Sequence, residues 1–421
     1  MSLHDWRTSF ALNWSESMAD WRATTFGQLG ELFDGPHATP TRTSQGPYFL
    51  NISSLIGGRL DLTLSDRVSP EDYRRWTRRV TPRAGDLLFS YETRLGEAAL
   101  MPDGVEACLG RRMALLRPDR SVVDPRFLVY LYLAPQFQRT IATHTVHGAT
   151  VPRIALSTMP TWSVDIPGLR EQRAVAEILG TLDDKIIANE RSVEALGKLE
   201  RAKVETVIAS ASDFVRLDSV ATVTKGVSYR RYDLDRSRSA LITLKSIDRT
   251  GTFARRGFKE YIGAPRAEQF VHSGDIVVAQ TDLTQGADVI GWAVRVPRVA
   301  EYERLVASLD LAIVRPLPTV RGEYLLGALR SRSFRDHCHA RMSGTTVLHL
   351  GRGAIESYRF PLPDTEVMER YAVSSASRFR LQDSLNDEIQ KMMKTRDELL
   401  PLLMSGRLRV KDAERAVEEV L

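Results

Sequence analysis

Residues 166–212 read IPGLREQRAVAEILGTLDDKIIANERSVEALGKLERAKVETVIASAS, and a stretch of the same character returns at residues 360–410, FPLPDTEVMERYAVSSASRFRLQDSLNDEIQKMMKTRDELLPLLMSGRLRV. In the first, Val175, Leu179, Leu182, Ile186, Val193 and Leu196 follow steps of 4, 3, 4, 7 and 3, with Asn189 at the skipped place. This is the 3.5-residue period of a coiled-coil seam with one polar insertion. The second carries Leu385, Ile389, Met392, Leu399 and Leu403 on the same register, with Arg396 at one seam position. Pro167 precedes one copy, and Pro361 and Pro363 precede the other; proline starts a helix well and blocks an earlier start. A helix over residues 172–208 would run roughly 55 Å at 1.5 Å per residue. So long an apolar stripe needs a partner, and the other copy is the obvious one. Leu179, Leu182, Ile186 and Val193 are therefore expected to pair with Leu385, Ile389, Met392 and Leu399.

Two copies of one helix imply two copies of what precedes each. Gly85, Asp86, Leu87 and Leu88 match Gly274, Asp275, Ile276 and Val277 at an offset of 189, and Arg117 and Pro118 match Arg315 and Pro316 at 198. Gly148, Thr150 and Val151 match Gly344, Thr346 and Val347 at 196, Ile166 and Pro167 match Phe360 and Pro361 at 194, and Arg201 matches Arg396 at 195. FLNISSL at 49–55 lies over LITLKSI at 241–247. Landmarks kept in order at a slowly drifting offset indicate a tandem duplication with loop insertions. Short apolar runs broken by Gly, Pro and Asn read as strands and turns. The expected class is α/β in the α+β sense: two tandem domains, each a twisted, mostly antiparallel sheet with helices, separated by long helices in an antiparallel coiled coil. The expected segments are a lead-in at 1–20, a first domain at 21–165, a central helix at 166–212, a second domain at 213–362, and a C-terminal helix and tail at 363–421.

The chain has 421 residues, enough for two or three cores, with 43% hydrophobic and 26% charged residues, as in a globular protein. No run approaches 18 apolar residues and MSLHDWRTSFALNW lacks the order of a signal peptide, so a cytoplasmic location is expected. Cys108 and Cys338 stand far apart with no metal-ligand spacing, which indicates neither a disulfide framework nor a zinc site. Residues 213–362 hold 23 basic and 16 acidic side chains, a surplus of 7, whereas 166–212 hold 7 and 8. Positive charge on a domain and not on the helices suits a domain facing a polyanion and helices facing protein.

With these residues in view, the chain resembles the DNA-specificity subunit of type I restriction-modification systems over about residues 21–410. IPGLREQRAVAEILGTLDDKIIANE carries the likeness after the first domain, and RDELLPLLMSGRLRV at 396–410 is its most specific string. The second copy departs from the pattern in reading DTEVMER where the first has a Glu-Gln after its proline. The resemblance implies two target-recognition domains, each reading half of a bipartite site in double-stranded DNA, with helix length setting the gap. It implies docking of two methyltransferase subunits, and of a nuclease-translocase subunit when restriction occurs. Adenine methylation with S-adenosylmethionine would belong to the partner, leaving no cofactor and no metal to this chain.

The residues agree with a chain that binds and positions. An Asn/Asp-Pro-Pro-Tyr/Phe motif, a phosphate loop, HExxH and GxSxG are all absent. His337 and His339 around Cys338 read as a solvated helix end and not as ligands. A duplicated adaptor binding only protein is the other reading, though it gives no reason for the basic second domain. For DNA, Arg, Lys, Asn and Gln at loop tips read bases, and hydroxyls and amides hold phosphates. The matching loops HGATVPR (147–153) and SGTTVLHLGR (343–352) lead, with Thr150, Arg153, Thr345, Thr346, His349 and Arg352. Next come TRLG (93–96) with Arg94, TDLTQG (281–286) with Thr281 and Gln285, and the turn KGVSYRRY (225–232) with Lys225, Tyr229, Arg230 and Arg231.

Overall fold

The computed structural model describes residues 21–36, 39–147, 151–284 and 286–421. The lead-in at 1–20, Thr150 and Gln285 lie outside the described residues. In chain order the α-helices are α1 (Pro70–Trp76), α2 (Pro125–Leu133), α3 (Pro135–Thr143), α4 (Leu169–Ala209), α5 (Gly322–Leu329), α6 (Arg332–His339), α7 (Thr365–Leu403) and α8 (Val410–Glu418). None among the described residues is both long and apolar enough to cross a membrane.

Contacts divide the chain into two compact units, one of residues up to Ala188 plus Glu388–Leu421, the other Asn189–Asp387. The cut passes through both long helices, because each half of α4 packs with the antiparallel half of α7 in its own unit.

In the first unit, Arg22–Thr25 pairs with Ser163–Ile166, joining the start of the domain to the strand that feeds α4. An antiparallel sheet follows in the order Gly30–Asp34, Met113–Pro118, Leu87–Ser90, Ala98–Leu100. A second sheet lays Arg42–Leu50 parallel to Ala107–Leu109. The second unit repeats the plan. Asp213–Arg216 pairs with Arg359–Leu362, and Ala221–Lys225, Leu311–Pro316, Ile276–Ala279 and Ala293–Arg295 form the antiparallel sheet in the same order. Ser239–Ile242 lies parallel to Arg304–Ala307, as in the first unit.

The repeated landmarks are explained by what they touch. Gly85 (φ +88) and Gly274 (φ +96) occupy the left-handed region that favours glycine, turning the chain into a central strand. The aspartate that follows each is paired with the matched arginine at the end of the neighbouring strand. Arg117 Nη2 lies 2.8 Å from Asp86 Oδ2, and Arg315 Nη2 lies 2.9 Å from Asp275 Oδ2. The Gly-Asp and Arg-Pro pairs therefore recur together because each closes the other across the sheet.

The helix phrases also have structural roles. Gln172 is fully buried; its Nε2 donates to Val122 O (3.1 Å) and Pro167 O (2.9 Å), while its Oε1 accepts from the Asp124 N–H (2.9 Å). The second copy lacks this glutamine, and there the Tyr324 hydroxyl donates instead to Pro361 O at 2.6 Å. At the other end of α7, Gly406 (φ +67) ends the helix, with the Arg407 N–H donating to Leu402 O.

The helical pairing differs in character between the units. In the first, Leu179, Leu182, Ile186, Ile389, Met392 and Leu399 are buried as expected, and Arg396 at its seam position donates to Asp183 Oδ1 (2.9 Å). In the second, Val193 and Leu385, both expected in the helix pairing, are only half-buried. Buried Glu200 takes over, accepting from the hydroxyls of Tyr371 and Ser375 and from Arg378 Nε. Arg295 and Arg255 of the second domain also reach α7, at Asp383 (2.6 Å) and Asp387 (3.0 Å). A polar hub here satisfies groups that an apolar seam would strand.

Candidate nucleic-acid interface

Each unit brings together loops that are far apart in sequence. In the first, the hairpin of Thr145–His147 and Pro152–Ile154 meets the loop after Leu87–Ser90, with the Thr93 N–H donating to Pro152 O (3.1 Å) and an isolated backbone β-bridge between Glu92 and Arg153. In the second, Leu348–Leu350 pairs with Met342–Ser343 on one side and Thr281–Asp282 on the other, setting His349 opposite both Ser343 and Thr281. The loop pairs matched in the sequence thus share one topology. The turn at 226–229 joins the second group through residues 308–310. The Leu309 N–H donates to Val227 O (2.8 Å), and the Gln280 side-chain amide donates to Leu309 O (3.2 Å).

Arg153, Lys225, Arg230, Arg231, Thr345, Thr346, His349 and Arg352 are exposed on these loops. Three other candidates are committed elsewhere. Thr281 is buried and donates to Asp310 Oδ1 (2.9 Å), because its strand forms the inner edge of the small sheet; it braces the loop and does not project from it. Arg94 folds back onto Ile52 O (3.2 Å) and Glu97 (3.4 Å). Tyr229 packs against the cluster of Leu241, Tyr261 and Val306, and its hydroxyl accepts from Lys259 Nζ (2.9 Å). Its ring is therefore half-buried and is not a free stacking face.

Asp282 organises the loop in the second unit. It accepts from Thr284 N (2.8 Å) and Thr284 Oγ1 (2.7 Å), and from the N–H groups of Val289 (2.6 Å) and Ile290 (3.1 Å). Burial acts to raise its pKa, but these bonds to the ionised form outweigh it and hold the carboxyl below its ordinary value. The loop so held carries Leu283, 71% exposed, and the neighbouring turns carry Leu309 at 48% and Tyr232 at 69%. Sequence reasoning missed these three because a lone apolar residue in a polar loop has no periodic signal. Each presents apolar side-chain surface on an otherwise polar loop.

His337 Nε2 donates to Ala354 O (2.8 Å), and burial lowers its pKa. Cys338 beside it is buried, which raises its thiol pKa to about 12.

The family described as Type I restriction modification DNA specificity domain matches residues 78–196, the part running from before the Gly-Asp turn into α4. The putative type I restriction enzyme MjaX specificity subunit of Methanocaldococcus jannaschii is 21% identical over 93% of this chain and 94% of its own length. The MjaVIII specificity subunit of the same organism is 19% identical over 83% and 85%. Among solved structures, the type I restriction-modification S subunit from M. genitalium superposes with a TM-score of 0.59 at 14% identity, covering 91% of this chain and 96% of that one, and so shares the fold. The duplicated sheets, the paired long helices and these likenesses agree: the chain is similar along nearly its whole length to specificity subunits of type I restriction-modification systems, and its residues 78–196 match their DNA specificity domain.

Proposed function

We propose that each domain reads one half of a bipartite, asymmetric target in double-stranded DNA through the loop groups described above. The observation carrying this reading is that one loop topology is built twice with different exposed side chains. The first hairpin offers Arg153, and the second offers Thr345, Thr346, His349 and Arg352. A shared scaffold fixes the approach to DNA while divergent tips read different bases. The surplus of basic side chains at 213–362 supports the polyanion partner.

On the same reading the chain is noncatalytic. Its long helices set the gap between half-sites and dock two methyltransferase subunits, with a nuclease-translocase subunit joining for restriction. Transfer of a methyl group from S-adenosylmethionine to adenine is then the work of the methyltransferase. The deciding experiment is single-molecule sequencing of adenine methylation in cells carrying this gene beside its methyltransferase, with and without deletion of the gene. A bipartite motif that disappears on deletion is the expected result. Methylation that persists unchanged with an active methyltransferase would reject the reading in favour of a protein-binding adaptor.

A further inference from the structure

Both domains place a glycine with positive φ at one point beside the second short helix: Gly96 (φ +88) and Gly291 (φ +79). Over Gly96 the first domain sets Gln138, whose Nε2 donates to Gly96 O (3.1 Å) and Tyr132 O (2.7 Å), filling the space with a neutral, satisfied side chain. In the second domain Cys338 lies closest over Gly291, and Arg335, which holds the helix position of Gln138, instead turns its guanidinium onto Trp292, the carbon 4.1 Å from the ring centre. Its Nε is buried without a hydrogen-bond partner, and so is His339 Nε2 one turn further on. Arg330 enters the same space holding only Ala293 O, from Nε at 3.2 Å. Among the described residues neither Arg330 nor Arg335 has a carboxylate within ion-pair distance. Together with Trp292, Arg332 and Asp336 they line a cavity of about 300 Å³. Asp336 leans outward to Arg332 at 3.7 Å, and both are largely exposed. Burial, followed by the charge of Arg201, lowers the Arg330 pKa to about 10.

A buried guanidinium nitrogen without a hydrogen-bond partner is costly, and a cavity that brings Arg330 and Arg335 together gains from an anion. The planar fork of arginine matches the oxygens of a phosphate group, and stacking on Trp292 pre-orients that fork. We propose that this cavity holds a backbone phosphate of the bound DNA. The lining residues stand next in the chain to the candidate loops: Trp292 follows the segment that begins at Thr281, and His339 stands three residues before Met342–Ser343. The inference rests on the DNA reading above and deepens it. The cavity anchors without reading sequence; in the first domain the helix position of Arg335 is held by Gln138, whose amide is committed to Gly96 O and Tyr132 O.

The test uses the full chain in complex with its methyltransferase, titrated with a duplex containing the methylated motif and with a motif-free duplex. R335Q, which installs the glutamine of the first domain, is expected to weaken both by the same factor, about three- to tenfold, and to make the salt slope shallower by about one. R335K should keep the slope. Should R335Q lower the melting temperature, R330Q carries the same comparison. Unchanged affinity and slope, or a loss confined to the motif duplex, would overturn the proposal. Failure of the unaltered complex to bind either duplex would instead reject the DNA reading itself. Loss of methyltransferase co-purification with DNA affinity intact would give the cavity to an acidic protein surface. Inorganic phosphate that quenches indole fluorescence in the native chain but not in R335Q, with DNA affinity unmoved, would make the ligand a free anion. Either of these last two results also overturns the backbone assignment.

Discussion

Arg396 on α7 and Asp183 on α4 meet at 2.9 Å in the first unit, and the same carboxylate accepts the Tyr130 hydroxyl at 2.7 Å. In the second unit the acid is again on α4, at Glu200, and the base again on α7, at Arg378. Residues 183 and 200 would oppose each other if α4 paired with a second α4, setting acid against acid, and Arg378 and Arg396 would clash likewise in a pair of α7 helices. Charge thus selects the mixed pairing from two helices of shared ancestry.

The first prediction follows from the burial of these pairs. Removing one partner strands the other, so R396M and E200Q should each destabilise the fold by about 2–4 kcal/mol. The double variant E200M/R378M should cost less than the sum of its single changes, because no charge is left unpaired. Thermal and denaturant melts of the unaltered chain, E200M, R378M and the double variant check this, with R396M and E200Q melted beside them, and strict additivity would count against a coupled hub.

Asp282 supports a prediction with a pH sign. Its carboxyl is held below its ordinary pKa, so its contribution is complete above the unfolded value of 3.8 and is lost as pH falls through the lower folded value. Amide exchange at Val289 and Ile290 should therefore rise on acidification below that range. D282N at neutral pH should loosen the same amides while the exchange of the central strands stays slow. Exchange mapped by mass spectrometry reads both, and protection retained at Val289 in D282N would contradict the role.

The two loop groups should be separable by genetics. Arg153→Ala is expected to relax base preference in one half of the methylated motif only, and Arg352→Ala or His349→Ala in the other half only. Losing a side chain that reads a base edge costs about 1–3 kcal/mol of discrimination. Methylation motifs sequenced from cells carrying each variant decide it. Relaxation of both halves by one substitution would argue against separate readers.

Helix length should set the gap. Removing one heptad from each helix, residues 186–192 and 385–391, keeps the seam in register and shortens each by about 10 Å. The recognised gap should then shrink by about three base pairs, taking 3.4 Å per step. A motif with an unaltered gap would contradict the spacer.

The sequence alone determined the elements whose signal is local or periodic. The heptad steps from Val175 to Ile186 marked the long helix, the prolines at 167 and 361 its starts, and the repeated Gly-Asp and Arg-Pro pairs the duplicated sheet. Positions such as Leu179 and Met392 were legible because a 3.5-residue period buries a defined stripe. Only the tertiary structure decided which of the marked groups are available. Thr281 reads as a polar loop residue, yet pairing with a strand more than sixty positions later buries it against Asp310. Tyr229 reads as a stacking ring, yet its face belongs to a small core. The cavity of Arg330, Arg335 and His339 had no signature, since its walls come from an edge strand and two helix ends. The physical reason is common to all three. Burial and partnership of a side chain are set by strand pairing over long separations, and that pairing leaves no period in the local sequence.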